Sequence, residues 1–400
     1  MTGHPLRGDG RGWLVLTLGL GWFVTLGTRF VVPTVLPRIQ ADFALSNTAA
    51  GVAVTVIWLA YGATQLPAGA LIDSLGERRL LAGSLLVGGG GLLAFAGSPT
   101  FAVLLLAAAA YGVGTGLYGP ARATVLSRTF PDNDGAAFSV VLGAGSVGAA
   151  ALPLVAGVLV GWIGWRVAVG TFVPLFLVIA AGLWWAVPVR ESRGRSGEPL
   201  RARARGVWAA VTQRAVVLPA LAVLFMLFAF QGLTAFLPTY LVTERGLSQA
   251  TASAVFAGLF VAGALFQVLT GGLADRFGHQ RVLTVVAVLS VPPLLLLPVA
   301  RGLPAIVAVT VLFGLRFVVP PVSNAYVVRV LPEAVRGTAW GLVRSVFFVF
   351  GATGSTVVGA FADRGLFDEA FVVLAAVTLL GAVCFAMVPP RESVVGASAG

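Results

Sequence analysis

The sequence predicts an all-α polytopic membrane protein, with twelve transmembrane helices in two pseudo-symmetric halves of six helices each. The first observation is composition: 58% of the 400 residues are hydrophobic and 10% are charged, whereas a soluble domain carries roughly 25% charged residues. The second is that the apolar runs are continuous instead of alternating, which excludes a transmembrane β-barrel. The third is an internal repeat that relates the two halves.

The apolar runs are about as long as the roughly 20 residues that a membrane-spanning helix needs. The first six lie at about residues 13–36, 49–72, 80–97, 101–121, 136–161 and 167–188. The second six lie at about residues 216–241, 251–273, 282–300, 304–328, 338–362 and 370–388. An arginine-rich polar stretch separates the two sets. We therefore predict three segments: an N-terminal half at 1–189, a cytoplasmic linker at 190–214 and a C-terminal half at 215–400.

The distribution of arginines predicts the orientation in the membrane. Eighteen arginines lie on the side that holds both termini and the linker, and five lie in loops on the opposite side. Because cytoplasmic loops carry an excess of basic residues, we predict that both termini are cytoplasmic. The run at 13–36 has no small-residue cleavage pattern, so it is interpreted as the first spanning helix and not as a signal peptide. The expected location is the plasma membrane of a prokaryote.

One segment occurs twice. Residues 69–81, GALIDSLGERRLL, recur as residues 271–283, GGLADRFGHQRVL, and the same displacement of 202 residues aligns Gln65 with Gln267. Both copies follow an even number of crossings in their half. The two halves therefore have the same topology and should be related by an axis along the membrane normal.

Both copies contain the pattern GxxxDxxGxxR, and with it the sequence resembles the major facilitator superfamily over almost the whole chain. The resemblance implies a transporter that works by alternating access. It also implies a cytoplasmic latch that holds the transporter outward-open and that consists of Gly69, Asp73, Gly76, Arg79, Gly271, Asp275, Gly278 and Arg281. The aspartates can cap a helix end or pair with the arginines. The alternative is a membrane-surface turn with solvated charges.

Three arginines, Arg29, Arg316 and Arg344, lie within predicted spans, whereas all fifteen acidic residues fall in loops, tails or helix ends. An arginine at the membrane centre costs about 2.5–3.5 kcal/mol on insertion scales, so we expect these side chains to face a cavity or a partner. A cavity with arginines and without carboxylates attracts anions, and the guanidinium fork matches carboxylate or phosphate oxygens. The alternative is that the arginines bond to backbone carbonyls or extend to the membrane surface.

The first predicted helix carries Arg29-x-x-x-Pro33-x-x-x-Pro37, and the second carries Tyr61 and Gln65. With these residues the sequence is similar to the anion:cation symporter branch of the superfamily. The resemblance implies an organic anion as substrate, held between the two halves.

Several members of that branch carry acidic residues for proton coupling where this sequence has Thr28 and Thr115. Uniport or anion exchange is therefore favoured over proton symport. The repeat places Gln231 opposite Arg29, and a polar face of the fourth helix adds further candidates. The predicted substrate-binding residues are Arg29, Tyr61, Gln65, Thr115, Tyr118, Arg122, Gln231, Arg316, Asn324 and Arg344.

Other functions are disfavoured. The two histidines, His4 and His279, lie in a tail and a loop, and Cys384 is the single cysteine, so we predict no enzyme activity, no metal and no cofactor. The net charge of +11 is spread over loops, which argues against nucleic acid. The expected partners are a small anionic solute and the lipid bilayer, and the protein is expected to be a monomer. The alternative is an exporter of drugs or sugars; a cationic drug predicts a carboxylate in the cavity.

Overall fold

The computed structural model describes residues 11–131, 134–189, 200–270, 272–333 and 335–389. Within these ranges the chain is helical and contains no strand. Seven helices lie before residue 190: α1 (Arg11–Phe43), α2 (Asn47–Ala63), α3 (Ala68–Leu75), α4 (Glu77–Ala96), α5 (Phe101–Thr129), α6 (Asp134–Gly170) and α7 (Val173–Ala186). Ten lie after residue 199: α8 (Leu200–Val211), α9 (Arg214–Thr243), α10 (Gln249–Thr270), α11 (Leu273–Phe277), α12 (His279–Leu289), α13 (Val291–Leu296), α14 (Gly302–Phe313), α15 (Val319–Val330), α16 (Arg336–Ala362) and α17 (Phe367–Ala386). Two 3₁₀ segments complete the described helices, at Leu297–Val299 and Gly314–Val318.

Ten helical stretches are long and apolar enough to cross a membrane, and the bent pair α2–α3 makes an eleventh. One of them, Gly135–Ala186, is 52 residues long and contains most of α6 and all of α7. Gly145 in α6 and Gly182 in α7 both pack against the first part of α1, at Trp22 and Thr17 respectively. The chain therefore returns to the same membrane side, and this stretch crosses twice. Twelve crossings follow among the described residues, and the predicted fold class is confirmed.

Several predicted spans are interrupted by breaks in the helix. α2 and α3 meet at an angle of 56°, and Pro67 lies at their junction. The tenth predicted span is divided by the 3₁₀ segment Gly314–Val318, which contains Arg316 and is followed by Pro320. A proline has no backbone N–H and clashes with the preceding turn, so it breaks or bends the helix. Gly164 similarly leaves the helical region within α6, at φ 73° and ψ 163°.

Helices α1–α7 and α9–α17 form two groups, which meet along the pairs α2–α16, α6–α10 and α1–α9. Close approach depends on small residues: Gly51 faces the backbone of Ser355, and Gly359 faces the backbone of Asn47. A side chain at either glycine would overlap that backbone. The predicted boundaries of halves and linker stay a prediction, and residues 190–199 of the linker lie outside the described residues.

Candidate functional site

A cavity of about 1720 Å³ lies between the two groups of helices, and we call it the central cavity. Its lining extends from Arg29, in the middle of α1, to Asp73 at the end of α3 and Trp208 in α8. Arg128 at the end of α5 and Gly337 at the start of α16 also line it. The cavity therefore opens on the membrane side that holds α8, which we call the linker side.

Aromatic rings close the other end of the central cavity. The ring of Phe30 lies 4.5 Å from that of Phe260 and 6.3 Å from that of Phe230, measured between centroids. Phe30 belongs to α1, and the other two rings belong to α9 and α10. The two groups of helices thus meet across a ring cluster just beyond Arg29, and hydrogen bonds at the ends of α2 and α16 lie farther toward the same side.

Asp363, directly after α16, accepts these hydrogen bonds from the start of α2. One carboxylate oxygen accepts the backbone N–H of Asn47 at 2.6 Å, and the other accepts the backbone N–H and the hydroxyl of Thr48 at 2.9 and 2.5 Å. The first N–H groups of a helix have no partner within the helix and carry partial positive charge. A carboxylate there joins the two groups of helices, and we call this contact the Asp363 clasp.

Arg29 lies at the deep end of the central cavity and is only 2% exposed. Its Nε donates a hydrogen bond to the carbonyl of Thr25 at 3.0 Å. Its Cζ lies 4.3 Å from the ring centroid of Tyr61 and 4.9 Å from that of Trp58, which is a cation–π geometry. The Nη2 group is buried and has no hydrogen-bond partner in the described part of the chain.

Arg122, in α5, shares an aromatic partner with Arg29. The Cζ of Arg122 lies 4.2 Å from the ring centroid of Trp22, and the Cζ of Arg29 lies 5.3 Å from the same centroid. Trp22 stacks on Tyr118 at 6.4 Å. The Nε and Nη1 groups of Arg122 are buried and meet no acceptor among residues that the structure describes. Two guanidinium groups therefore lie beside one indole, and both keep donors without a described partner.

Arg344 brings positive charge from the second group of helices. It belongs to α16, and its Cζ lies 5.6 Å from the ring centroid of Phe348 and 5.9 Å from that of Trp340. Phe348 in turn stacks on Trp58 of α2 at 6.1 Å. The Nε group of Arg344 is buried and unpartnered within the described ranges. The cavity thus has arginines on both walls.

Arg316 also lines the central cavity, but its guanidinium is engaged by the protein. Nη2 donates to the carbonyl of Met226 at 2.8 Å, and Nη1 donates to the hydroxyl of Thr378 at 3.2 Å. These contacts connect the 3₁₀ segment to α9 and α17. Of its nitrogens, Nε is buried without a partner in the described chain. Asn324 lines the cavity nearer the mouth.

Three predicted site residues do not line the central cavity in this conformation. Thr115 donates to the carbonyl of Tyr111 at 3.0 Å. Tyr118 donates to the carbonyl of Leu18 at 2.8 Å, which joins α5 to α1. Gln231 is fully buried, and neither amide atom has a hydrogen-bond partner among the described residues. Helix rotation, which the sequence pattern does not specify, directs these side chains away from the cavity.

Gln65 and its repeat counterpart Gln267 make equivalent contacts. The amide of Gln65 donates to the carbonyl of Gly116 at 3.0 Å, and that of Gln267 donates to the carbonyl of Phe317 at 2.7 Å. Each carbonyl precedes a proline by four residues, Pro120 and Pro321 respectively. Because proline has no N–H, the helix itself leaves these carbonyls without a donor. The glutamines supply the missing donors, although Gln65 also lines the cavity.

Replacing Gln65 or Gln267 by leucine is therefore expected to lower the free energy of unfolding by about 1–3 kcal/mol, because a buried or partly buried carbonyl loses its donor. Melting curves of the two purified variants should show similar decreases. Gln280→Leu is the control, because Gln280 donates to the carbonyl of Ala386 at an exposed position. A Gln65→Leu variant with unchanged melting temperature but weakened ligand binding would instead make Gln65 a ligand contact.

Most of the described latch residues are solvent-exposed, namely Gly69, Asp73, Arg79, Asp275, Gly278 and Arg281, whereas Gly76 is partly buried. Gly76 and Gly278 precede α4 and α12 with φ of 76° and 85°, a conformation that glycine adopts without strain. Neither Asp73 nor Asp275 forms an ion pair with an arginine among the described residues. Gly271 lies outside the described residues. Gly69 and Asp73 line the mouth, and the remaining members, Arg79 and Arg281, are exposed.

Charge at the site is predominantly positive. Asp73 is the one acidic residue among the described lining residues, and it lies at the mouth. Four arginines lie deeper: Arg29, Arg122, Arg316 and Arg344. Arg128 at the mouth pairs with Glu77, a pair that the sequence analysis missed. The aromatic partners of the arginines were also missed, since nothing in the sequence distinguishes a ring beside an arginine from a ring in a helix contact.

Twelve crossings around a central, one-sided cavity define a polytopic membrane transporter. A family model described as Major Facilitator Superfamily matches residues 18–261 and 241–399, and the chain belongs to this superfamily. It is therefore a transporter of the alternating-access type, and the family and the fold identify it as a transporter and not an enzyme.

Proteins with sequences similar to this chain are named for different functions. The chain is 28% identical over 377 residues to the transcription regulatory protein OpdE of Pseudomonas aeruginosa, covering 92% of this chain and 91% of that protein. It is 26% identical to an MFS-type efflux pump of Mycolicibacterium smegmatis, and the match covers 98% of this chain and 96% of that protein. It is 29% identical to the cis,cis-muconate transport protein of Acinetobacter baylyi over 161 residues, which are 40% of this chain and 39% of that protein.

Solved structures show the same fold. The nucleoside transporter NupG superimposes with a TM-score of 0.79 at 15% identity, covering 93% of this chain and 98% of that one. A bacterial homologue of the lysosomal transporter Spinster, in an inward-facing and unoccupied conformation, superimposes with a TM-score of 0.78 at 15% identity. This match covers 96% of this chain and 97% of that one. These similarities concern the fold alone.

Proposed function

We propose that the protein moves a small organic or inorganic anion across the membrane by uniport or exchange. One observation supports this proposal above others: Arg29, Arg122 and Arg344 each keep a buried N–H without a partner in the described chain, and they face a common cavity. The lining carboxylate, Asp73, is at the mouth. Substrate contacts in this proposal come first from these three arginines, with Tyr61 beside them.

An anion in the central cavity gains two contributions. A buried donor without an acceptor costs about 1–3 kcal/mol, and a hydrogen bond to a charged group contributes about 1.5–3 kcal/mol. A carboxylate or phosphate satisfies the free donors of Arg29 and Arg122 once these side chains turn toward it, and it then forms charge-assisted bonds with them. A cation meets repulsion from the same fixed charges, which low dielectric strengthens. The cavity therefore favours anions.

Hydroxyl groups occupy the positions where related transporters are expected to carry a proton. The hydroxyl of Thr28 lies 2.6 Å from that of Tyr111, and Thr115 donates to the carbonyl of the same tyrosine. These neutral groups have no carboxylate among their described hydrogen-bond partners. This arrangement favours uniport or exchange over proton symport.

We infer that the linker side is cytoplasmic, so that the structure is inward-facing. The excess of arginines on that side supports this orientation. Asp73 and Asp275 form no ion pair with an arginine in the part of the chain that the structure describes, which fits a latch that forms when the linker side closes. The relatives come from bacteria, which supports the plasma membrane of a prokaryote. In this proposal a monomer works through two halves, 1–189 and 215–400, which move about the site.

Ligand-dependent thermal stability of the detergent-purified protein tests the proposal. The panel contains carboxylates, sugar acids, phosphate esters, nitrate, neutral sugars and lipophilic cations. A ligand at 100 times its dissociation constant stabilises the folded state by about 2.7 kcal/mol, so anions are expected to raise the melting temperature. Stabilisation by cations or neutral compounds alone would contradict an anionic substrate.

The alternative function is export of a drug or sugar. Two observations favour it: the matched efflux pump covers nearly the whole chain, and the central cavity is lined by Trp22, Trp58 and Trp340, which suit large apolar ligands. For this function the arginines would be structural. Stabilisation by neutral or cationic ligands that persists in Arg29→Gln distinguishes the exporter from the anion transporter.

A further inference from the structure

The arginines of the central cavity are distributed over both walls. Arg29 and Arg122 belong to α1 and α5 and both lie beside Trp22, whereas Arg344 belongs to α16 in the other group of helices. All three have a buried donor with no partner in the described chain. A ligand with one anionic group can occupy one wall, and it leaves the donor on the other wall unsatisfied.

The surface between the two walls is aromatic. From Arg29 the path leads 4.3 Å to the ring of Tyr61, then 4.9 Å to the ring of Phe348, then 5.6 Å to Arg344. The separation of the two guanidinium carbons cannot exceed the sum of these steps. With a guanidinium–carboxylate contact at each end, this limit allows a spacer no longer than about one benzene ring. A flat apolar spacer also matches ring faces and edges.

We infer that the transported substrate is a dianion whose two anionic groups are joined by a planar apolar unit. The Arg29–Arg122 pair holds one anionic group, Arg344 holds the other, and the unit between them packs on Tyr61 and Phe348. This inference rests on the proposed anion transport and specifies its substrate class. Arg316 is a weaker anchor for the ligand, because each of its terminal nitrogens already donates one hydrogen bond, to Met226 or to Thr378.

A dianion held in this way links the two groups of helices. Closing the linker side brings Arg344 toward Arg29 and Arg122 in a space with less water, where like charges repel more strongly. A dianion removes that repulsion from both walls at once, whereas a monoanion neutralises one wall. A ligand moves a conformational equilibrium only by its difference in affinity for the two states. Dianions are therefore transported, and monoanions of the same shape bind without efficient transport.

Terephthalate and its monomethyl ester provide a matched pair with the same planar spacer and with two charges or one. Binding is measured by melting temperature against ligand concentration, and transport by counterflow in proteoliposomes. We expect terephthalate to bind at least tenfold more tightly than the ester and to be the better counterflow substrate. Succinate, a dianion with a shorter and flexible spacer, is expected to bind more weakly than terephthalate.

The variant Arg344→Gln tests whether Arg344 holds the second anionic group. This variant is expected to bind terephthalate and the ester with equal affinity, at the affinity of the wild type for the ester. Arg344→Lys keeps the charge and should restore part of the preference, and the exposed Arg301→Gln is the control. A variant whose melting curve without ligand matches that of the wild type is folded.

The outcomes separate the two proposals. If no anion binds the wild-type protein, the proposed anion transport fails. If terephthalate and the ester bind and exchange equally well, anion transport stands and the dianion inference is overturned. The inference is also overturned if Arg344→Gln weakens both ligands by the same factor, because Arg344 then contributes only to the general positive potential.

Discussion

Arg29→Gln is expected to reduce anion uptake at sub-saturating substrate by about 100-fold. The variant loses the charge and the free Nη2 donor at the closed end of the cavity. Two charge-assisted hydrogen bonds at about 1.5 kcal/mol each amount to roughly a 100-fold change in affinity, since about 1.4 kcal/mol corresponds to a factor of ten. Uptake of a radiolabelled anion into proteoliposomes measures the effect.

Arg29→Lys and Arg301→Gln are the matched variants for this experiment. Lysine restores the charge but not the planar fork or the bond from Nε to Thr25, so uptake should recover in part. Arg301 is exposed, and its substitution should leave uptake unchanged. Wild-type uptake by a folded Arg29→Gln variant would make Arg29 structural and would favour the exporter.

The crossings could be predicted from sequence because the membrane leaves few alternatives. A continuous apolar run in lipid must satisfy its own backbone hydrogen bonds, so it forms a helix. The internal repeat then relates the halves. The helix breaks at Pro67 and Pro320 could not be predicted with the same certainty. A proline within a membrane span bends, breaks or barely changes it, according to whether neighbours such as Gln267 satisfy the released carbonyl.

The site could be predicted only as a set of charges. Arg29, Arg316 and Arg344 are conspicuous because they interrupt apolar runs, but their availability depends on tertiary contacts. Arg316 donates through both terminal nitrogens to Met226 and Thr378 and keeps only Nε without a described partner, whereas Arg344 meets aromatic rings. Helix rotation of a few tens of degrees decides between these cases. Periodicity does not resolve such rotations.

The Asp363 clasp leads to a second large effect, on conformation. Asp363→Ala removes three hydrogen bonds that join the start of α2 to the end of α16. The carboxylate is exposed, so each bond contributes near the lower end of about 0.5–1.5 kcal/mol. We expect the population open on the linker side to fall by about tenfold relative to the population open on the other side, since about 1.4 kcal/mol is a factor of ten.

Cysteine accessibility measures this shift. Ser146 lines the central cavity, and Ser146→Cys in a Cys384→Ala background supplies one reactive thiol there. A membrane-impermeant reagent applied from the linker side should label this thiol several-fold more slowly when Asp363→Ala is added. Thr48→Ala removes the hydroxyl donor but keeps the two backbone donors, so its labelling rate should be intermediate.

The clasp also predicts a dependence on pH. Partial desolvation opposes ionisation of Asp363, but hydrogen bonds from Thr48 and Asn47 outweigh it and hold the pKa of the carboxyl below its usual value. The depressed pKa means that the clasp is fully formed above about pH 4, the usual range of an aspartate, and is lost as the pH falls through the lowered pKa. Labelling of Ser146→Cys by an acid-tolerant reagent should therefore slow at low pH in the parent protein. In Asp363→Asn, which does not titrate, the labelling rate should be independent of pH over that range; an equal acid effect in both proteins would assign the response to another carboxylate.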